Sequence, residues 1–191
     1  PVDLVGHSRG GRLALHVAAR APHAVRRLAL YQPGGAYDAT FLPPAPPPPA
    51  PASSDTPLAR IAAGDVETGL RMFLDGVAGA GAWDKADDLL KTILRANART
   101  LIAMSRDASE PMTRAMAQSI RAPTLLIGGE GIPAGFVKVL DALESCLPDA
   151  RRARIDSNSH FANLETPAVF NDALEAFLSG APASRQNSSI A

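Results

Sequence analysis

Three residues near the start of the chain, a serine between two glycines, have the types and spacing for nucleophilic catalysis. In Val2-Asp3-Leu4-Val5-Gly6-His7-Ser8-Arg9-Gly10-Gly11 a serine sits between glycines as Gly6-x-Ser8-x-Gly10. An apolar run precedes it and a helical pattern follows. Such a turn lifts a hydroxyl clear of a sheet. Its glycines are expected where side chains would clash with a strained backbone. The backbone N–H of Arg9, at the start of the helix, would face negative charge developing on a substrate oxygen. A serine hydroxyl is a poor nucleophile until a base takes its proton. The chain has four histidines. His7 lies inside the turn, with its side chain expected to point away from that of Ser8. His16 and His23 read as packing or surface residues. His160, in Ser157-Asn158-Ser159-His160-Phe161, follows the last strand pattern and is the expected general base. In open parallel sheets, sites collect at the C-terminal ends of strands, and Ser8 and His160 both follow such ends.

The elements that would hold these groups follow from short apolar runs. Residues 2–5, 28–31 and 124–127 read as buried strands, and residues 152–156 as a weaker one. Residues 9–20, 137–146 and 166–180 have helical spacing. Thr166-Pro167 reads as a helix start, with threonine as the cap and proline in the first turn. Residues 43–51 are almost pure proline and alanine, which suits an extended spacer. From 57 to 120 the pattern is helical throughout. The order strand-helix-strand, helical insertion, strand-helix-strand-helix argues for an α/β fold with a parallel sheet. The expected division is a core of residues 1–42 and 121–180, a proline-rich linker over 43–56, a helical cap over 57–120 and a disordered tail over 181–191. Phe73 and Trp83 stand out in the cap, either as packing or as walls of an acyl or aryl pocket.

Composition narrows the function classes. At 191 residues, 46% hydrophobic and 20% charged, the chain is ordinary for a globular domain. Nineteen basic residues balance nineteen acidic ones, so charge suggests neither nucleic acid nor a membrane surface as partner. The single cysteine, Cys146, excludes an internal disulfide and a cysteine-built zinc site and suits a cytoplasmic setting. No apolar run approaches the roughly 18 residues of a membrane span, and no signal peptide is evident. The chain enters a strand at once, so its first residues are expected to belong to the middle of a fold.

The elbow, with the strand and helix around it, resembles the core of α/β-hydrolase-fold enzymes. Residues 122–129 and 157–178 resemble their late strand, histidine loop and last helix. Gly79-Ala80-Gly81-Ala82-Trp83-Asp84 and Asn97 resemble the helical cap of a bacterial esterase-like subgroup. The resemblance implies a serine hydrolase of small carboxylic esters or related acyl compounds. Ser8 would be nucleophile, His160 base and the Arg9 amide an oxyanion donor. It implies a small-molecule substrate, no cofactor or metal, and a monomer or homodimer. Carbon–carbon bond hydrolysis uses the same residues, and a non-catalytic hydrolase-like binding protein is the rival from another class.

Two departures from that pattern matter. The usual aspartate slot after the third strand holds Ile132, and the alternative slot, commonly glutamate before proline, holds Gln32-Pro33. Glu130 is then the nearest carboxylate, either as the triad acid or as a partner for its own turn. Gln32 would orient the imidazole through its amide oxygen without offsetting an imidazolium charge. Asp156 is near His160 in sequence but is expected to face elsewhere. The family also has strands before the elbow, and these carry a second oxyanion donor. The 191 residues alone are therefore expected to be unstable or nearly inactive, as a fragment of a longer hydrolase or a degenerate member.

Overall fold

A computed structural model describes residues 1–43, 55–106, 110–129, 131–157 and 159–180. The expected proline-rich spacer lies largely outside the described residues, and so do the tail beyond 180 and Glu130. The chain divides into two compact units, residues 1–42 with 112–191, and residues 43–111.

The first unit is a four-stranded parallel sheet in sequence order: β1 (Val2–His7), β2 (Val25–Tyr31), β3 (Thr124–Gly129) and β4 (Ala150–Ile155). Helix α1 (Arg9–Arg20) connects β1 to β2. Alternation along β2 splits the core. Leu28 and Leu30 pack with Leu15 of α1, Leu126 and Leu143 on one face, whereas Ala29 and Tyr31 pack with Leu125, Ile127, Ile155 and Phe170 on the other. Both central strands are apolar on each face, which fits strands covered on two sides. β1 has the apolar sequence of a buried strand but stands at the sheet edge: among the described residues it pairs with β2 alone and leaves Val2 60% and Val5 45% exposed. Ion pairs from Arg26 and Arg27 to Asp3 dress this edge.

The second unit contains α2 (Pro57–Ala62), α3 (Val66–Ala78), α4 (Ala82–Lys85) and α5 (Asp88–Ser105). Thr56 Oγ1 accepts from Ala59 N at 3.1 Å and Asp87 Oδ1 accepts from Leu90 N at 2.7 Å, so α2 and α5 begin on side-chain caps. Ile61, Leu70, Leu74, Trp83, Leu90 and Ala98 are buried in this unit. Gly69 is required where α3 meets α2, because a Cβ there would lie 2.7 Å from Pro57 O.

The helical pattern of residues 57–120 does not stay in one unit. Residues 112–120, with α6 (Arg114–Ser119), cluster with the sheet. Met112 bridges to Tyr37, and Met112, Ala117 and Ile120 are buried in the core around Leu15 and Leu126. Helix α7 (Ala134–Cys146) joins β3 to β4, while α8 (Ala162–Glu165) and α9 (Pro167–Leu178) follow β4. Pro167 opens α9 as expected, but Thr166 makes no side-chain cap; its hydroxyl donates to Ala162 O at 3.2 Å. Among the described residues no helix is long and apolar enough to cross a membrane.

Candidate active site

Register brings the functional residues to one end of the sheet. His7 pairs with Tyr31, Tyr31 with Ile127, and Gly129 with Ile155. The residues just past the first two of these strands, Ser8 and Gln32, therefore stand side by side, and His160 follows the fourth.

Ser8 adopts φ 52° and ψ −123°, a conformation costing about 1–3 kcal/mol for a residue with a side chain. Backbone hydrogen bonds hold it there. Ser8 N donates to Tyr31 O at 3.0 Å, and Ser8 O accepts from Gly11 N at 2.9 Å, Arg12 N at 3.3 Å and Gly34 N at 3.0 Å. The steric demand for glycine falls differently from the sequence expectation. A Cβ on Gly6 would lie 2.6 Å from Gly11 Cα, and one on Gly11 would lie 2.8 Å from Pro33 Cβ, but a Cβ on Gly10 would meet nothing within 4 Å. Gly6 and Gly11 let α1 cross closely over β1; Gly10 faces open space. Arg9 is the first residue of α1.

His160 is 2% exposed, and its Nδ1 lies 2.7 Å from Gln32 Oε1. Gln32 is completely buried and holds a positive φ of 42°, where the chain turns out of β2. Its Nε2 donates to Ser159 O at 3.1 Å. That bond assigns the amide: nitrogen toward the carbonyl, oxygen toward the ring. The imidazole is then protonated on Nδ1 and keeps its lone pair on Nε2, the tautomer a general base needs. Tyr31 braces the same loop. Its hydroxyl donates to Ser159 O at 2.6 Å and accepts from Ala162 N at 3.2 Å, fastening the backbone on both sides of His160. Burial pushes the Tyr31 phenol up to about 12.

Aromatic rings enclose the imidazole. Phe136 of α7 stacks on it with centroids 4.5 Å apart and planes at 18°, and His7 lies 4.6 Å away at 47°. Burial, with His7 as the second cause, pushes the His160 pKa down to about 3. His7 is held below its ordinary value by burial, and its Nε2 is shielded without a hydrogen-bond partner. His160 is therefore neutral at ordinary pH. Among the described residues Ser8 Oγ and His160 make no direct hydrogen bond. They are connected through a common neighbourhood: the position of a Cβ on Gly34 lies 3.6 Å from Ser8 Oγ and 3.5 Å from Phe136 Cε1. Catalytic hydrogen bonds are commonly long without substrate and tighten when it binds.

Gln32 and His160 are in direct contact, and Ser8 follows β1 at the same end of the sheet. Glu130 lies outside the described residues, and Asp156 is exposed at the end of β4. In the second unit Trp83 is buried, with Lys91 and Arg95 each 5.8 Å from its ring centroid, and Phe73 is half-buried. Sequence reading missed Tyr31, Phe136 and the place of His7. An aromatic residue ending a buried strand beside Gln32 was a usable signal for Tyr31. Phe136 carried none.

No protein-family model and no curated protein matches the sequence. Solved structures do match. An α/β hydrolase from Sphaerobacter thermophilus is 25% identical with TM-score 0.60, over 94% of this chain and 66% of its own. A carboxylesterase, CesB, from Bacillus subtilis is 20% identical with TM-score 0.62, over 93% and 60%. This chain carries part of the α/β-hydrolase fold. A meta-cleavage product hydrolase from Pseudomonas fluorescens has the same fold at 17% identity and TM-score 0.63, over 95% of this chain and 65% of its own. The chain thus spans about 60–66% of the length of these hydrolase-fold structures.

Proposed function

We propose that this chain carries the nucleophile and base of a serine hydrolase acting on a small carboxylic ester or related acyl compound. The observation that carries the reading is the strained Ser8 turn at the same sheet end as a buried, neutral His160 whose Nδ1 is occupied by Gln32. Ser8 Oγ attacks the acyl carbon while His160 Nε2 takes its proton. The carbonyl oxygen becomes an oxyanion beside the Arg9 amide at the start of α1. The imidazolium then protonates the leaving oxygen, and an acyl group remains on Ser8. Water, deprotonated by His160, releases the acid and restores the hydroxyl.

Gln32 takes the place of the acid. It fixes the ring and its tautomer but offers no negative charge to the imidazolium, so proton transfer is costlier than with a carboxylate. Neither a cofactor nor a metal takes part in these steps; the single cysteine suits a cytoplasmic setting, and the protein is read as a monomer or homodimer. The likeness to a meta-cleavage product hydrolase supports carbon–carbon bond hydrolysis as the second reading, with the same Ser8 and His160.

A fluorophosphonate probe tests the class. Labelling of the chain completed with the strands expected before the elbow, lost in Ser8→Ala, is expected; no labelling of that completed protein would favour the non-catalytic binding reading. Turnover of p-nitrophenyl esters against vinylogous diketones then separates the two chemistries.

A further inference from the structure

The second unit holds a groove of about 540 Å³ between α2 and the C-terminal half of α5. That volume is within the range of small-molecule sites. Ile61, Ala62 and Val66 contribute apolar surface from one side, and Ala98, Ile102 and Ala103 from the other. Among the described residues every charged group in its lining is an arginine: Arg95, Arg99 and Arg106. At 3.6 residues per turn these three and Ile102 fall on one face of α5, so the cations run along one rim of the groove.

The arginines differ in their partners. Glu67 holds the Arg95 guanidinium in a two-point pair at 2.5 and 3.0 Å, and Arg95 also lies 5.8 Å from the Trp83 ring centroid. Among the described residues the Arg99 and Arg106 side chains have no ion-pair or hydrogen-bond partner. An apolar concavity that has, among the described residues, two arginines without side-chain partners and no carboxylate in its lining complements a molecule with an aliphatic body and an anionic head. It does not complement a cation or a neutral polar molecule.

We propose that this groove binds an amphiphilic anion, a medium-length aliphatic chain ending in a carboxylate or an equivalent oxyanion. The chain lies on Ile61, Val66 and Ile102, and Arg99 or Arg106 takes the head by charge-assisted hydrogen bonds. This site is separate from the reading of Ser8 and stands or falls without it.

The single tryptophan of the chain, Trp83, is a built-in reporter because groove-lining Arg95 sits over its ring. Decanoate titrated into the full chain is expected to change Trp83 fluorescence saturably, whereas decanol and acetate at equal concentrations are not. Arg99→Gln with Arg106→Gln, both at exposed positions, should weaken decanoate binding about tenfold or more, as expected for losing charge-assisted bonds. Arg26→Gln, an exposed charge on β2, should leave it unchanged. Decanol binding as tightly as decanoate, or full affinity in the double variant, would overturn the proposal. So would saturation by an oligo-glutamate peptide with none by decanoate, which would make the groove a peptide site.

Discussion

Replacing Gln32 by Glu puts a carboxylate where the structure has an amide, 2.7 Å from His160 Nδ1. The backbone needs no change, because the φ of 42° at this position is already borne by a residue with the same branching. One carboxylate oxygen inherits the bond to the ring. The other faces Ser159 O, where the amide nitrogen had donated at 3.1 Å. Losing that bond costs about 1–3 kcal/mol of stability, although Ser159 O keeps the Tyr31 hydroxyl. Against this, the carboxylate pairs with the imidazolium. Charges about 4 Å apart at an effective dielectric of about 20 interact by about 4 kcal/mol. At about 1.4 kcal/mol per pKa unit, the His160 pKa should rise from about 3 to about 6. The variant carboxyl and the ring will titrate as a coupled pair. Imidazole-labelled NMR reads the change directly, and the rate of fluorophosphonate labelling should rise about tenfold or more, bounded by the ~10⁴-fold range that a triad carboxylate commands in a serine protease. A His160 that still titrates near 3 in Gln32→Glu refutes the assignment of Gln32 as its partner.

Other outcomes follow from the same geometry. His160 titrates near 3 when folded and near 6.5 when unfolded, so the unfolded chain binds more protons between those values and stability falls as pH drops through that window. About 2 kcal/mol should be gone by pH 5, with His7 acting in the same direction; urea midpoints equal at pH 7 and pH 5 would contradict this. Gly6→Ala drives a Cβ into the backbone of Gly11 and should lower the melting temperature through about 1–3 kcal/mol of overpacking. Gly10→Ala meets nothing and should match or exceed the wild type through helix propensity; equal losses in the two variants would show that the turn, not the crossing of α1 over β1, sets the demand. Tyr31→Phe removes the bonds to Ser159 O and Ala162 N, at about 1–3 kcal/mol. Amide exchange at Ala162 should accelerate selectively, and unchanged protection there would mean that Tyr31 does not brace the loop.

What the sequence disclosed depended on whether the cause was local. The elbow was legible because strand, turn and helix signals fall within about twenty residues. The sheet was legible because apolar runs such as residues 124–127 are buried on both faces. Gly10 was misread for a related reason: the motif spells the turn, but the close contact is with Pro33 and is made by Gly11, one position on. The contact of Gln32 with the His160 ring was not readable from the sequence because the two are 128 residues apart. Only the register of β1 on β2, with His7 opposite Tyr31, places Ser8 beside Gln32. Even that leaves the amide's direction open, which is settled by a carbonyl at Ser159. Phe136 was out of reach altogether, since an aromatic residue on α7 gives no hint that it stacks on a histidine loop. The proposed site therefore combines a serine turn that is encoded locally with a histidine whose surroundings are set by long-range contacts. That imidazole is neutral because burial disfavours its charged form, and its Nδ1 carries the proton because an amide oxygen faces it. In the proposed mechanism Gln32 supplies orientation and tautomer but no charge, which is why a single added negative charge is the perturbation this site should feel most.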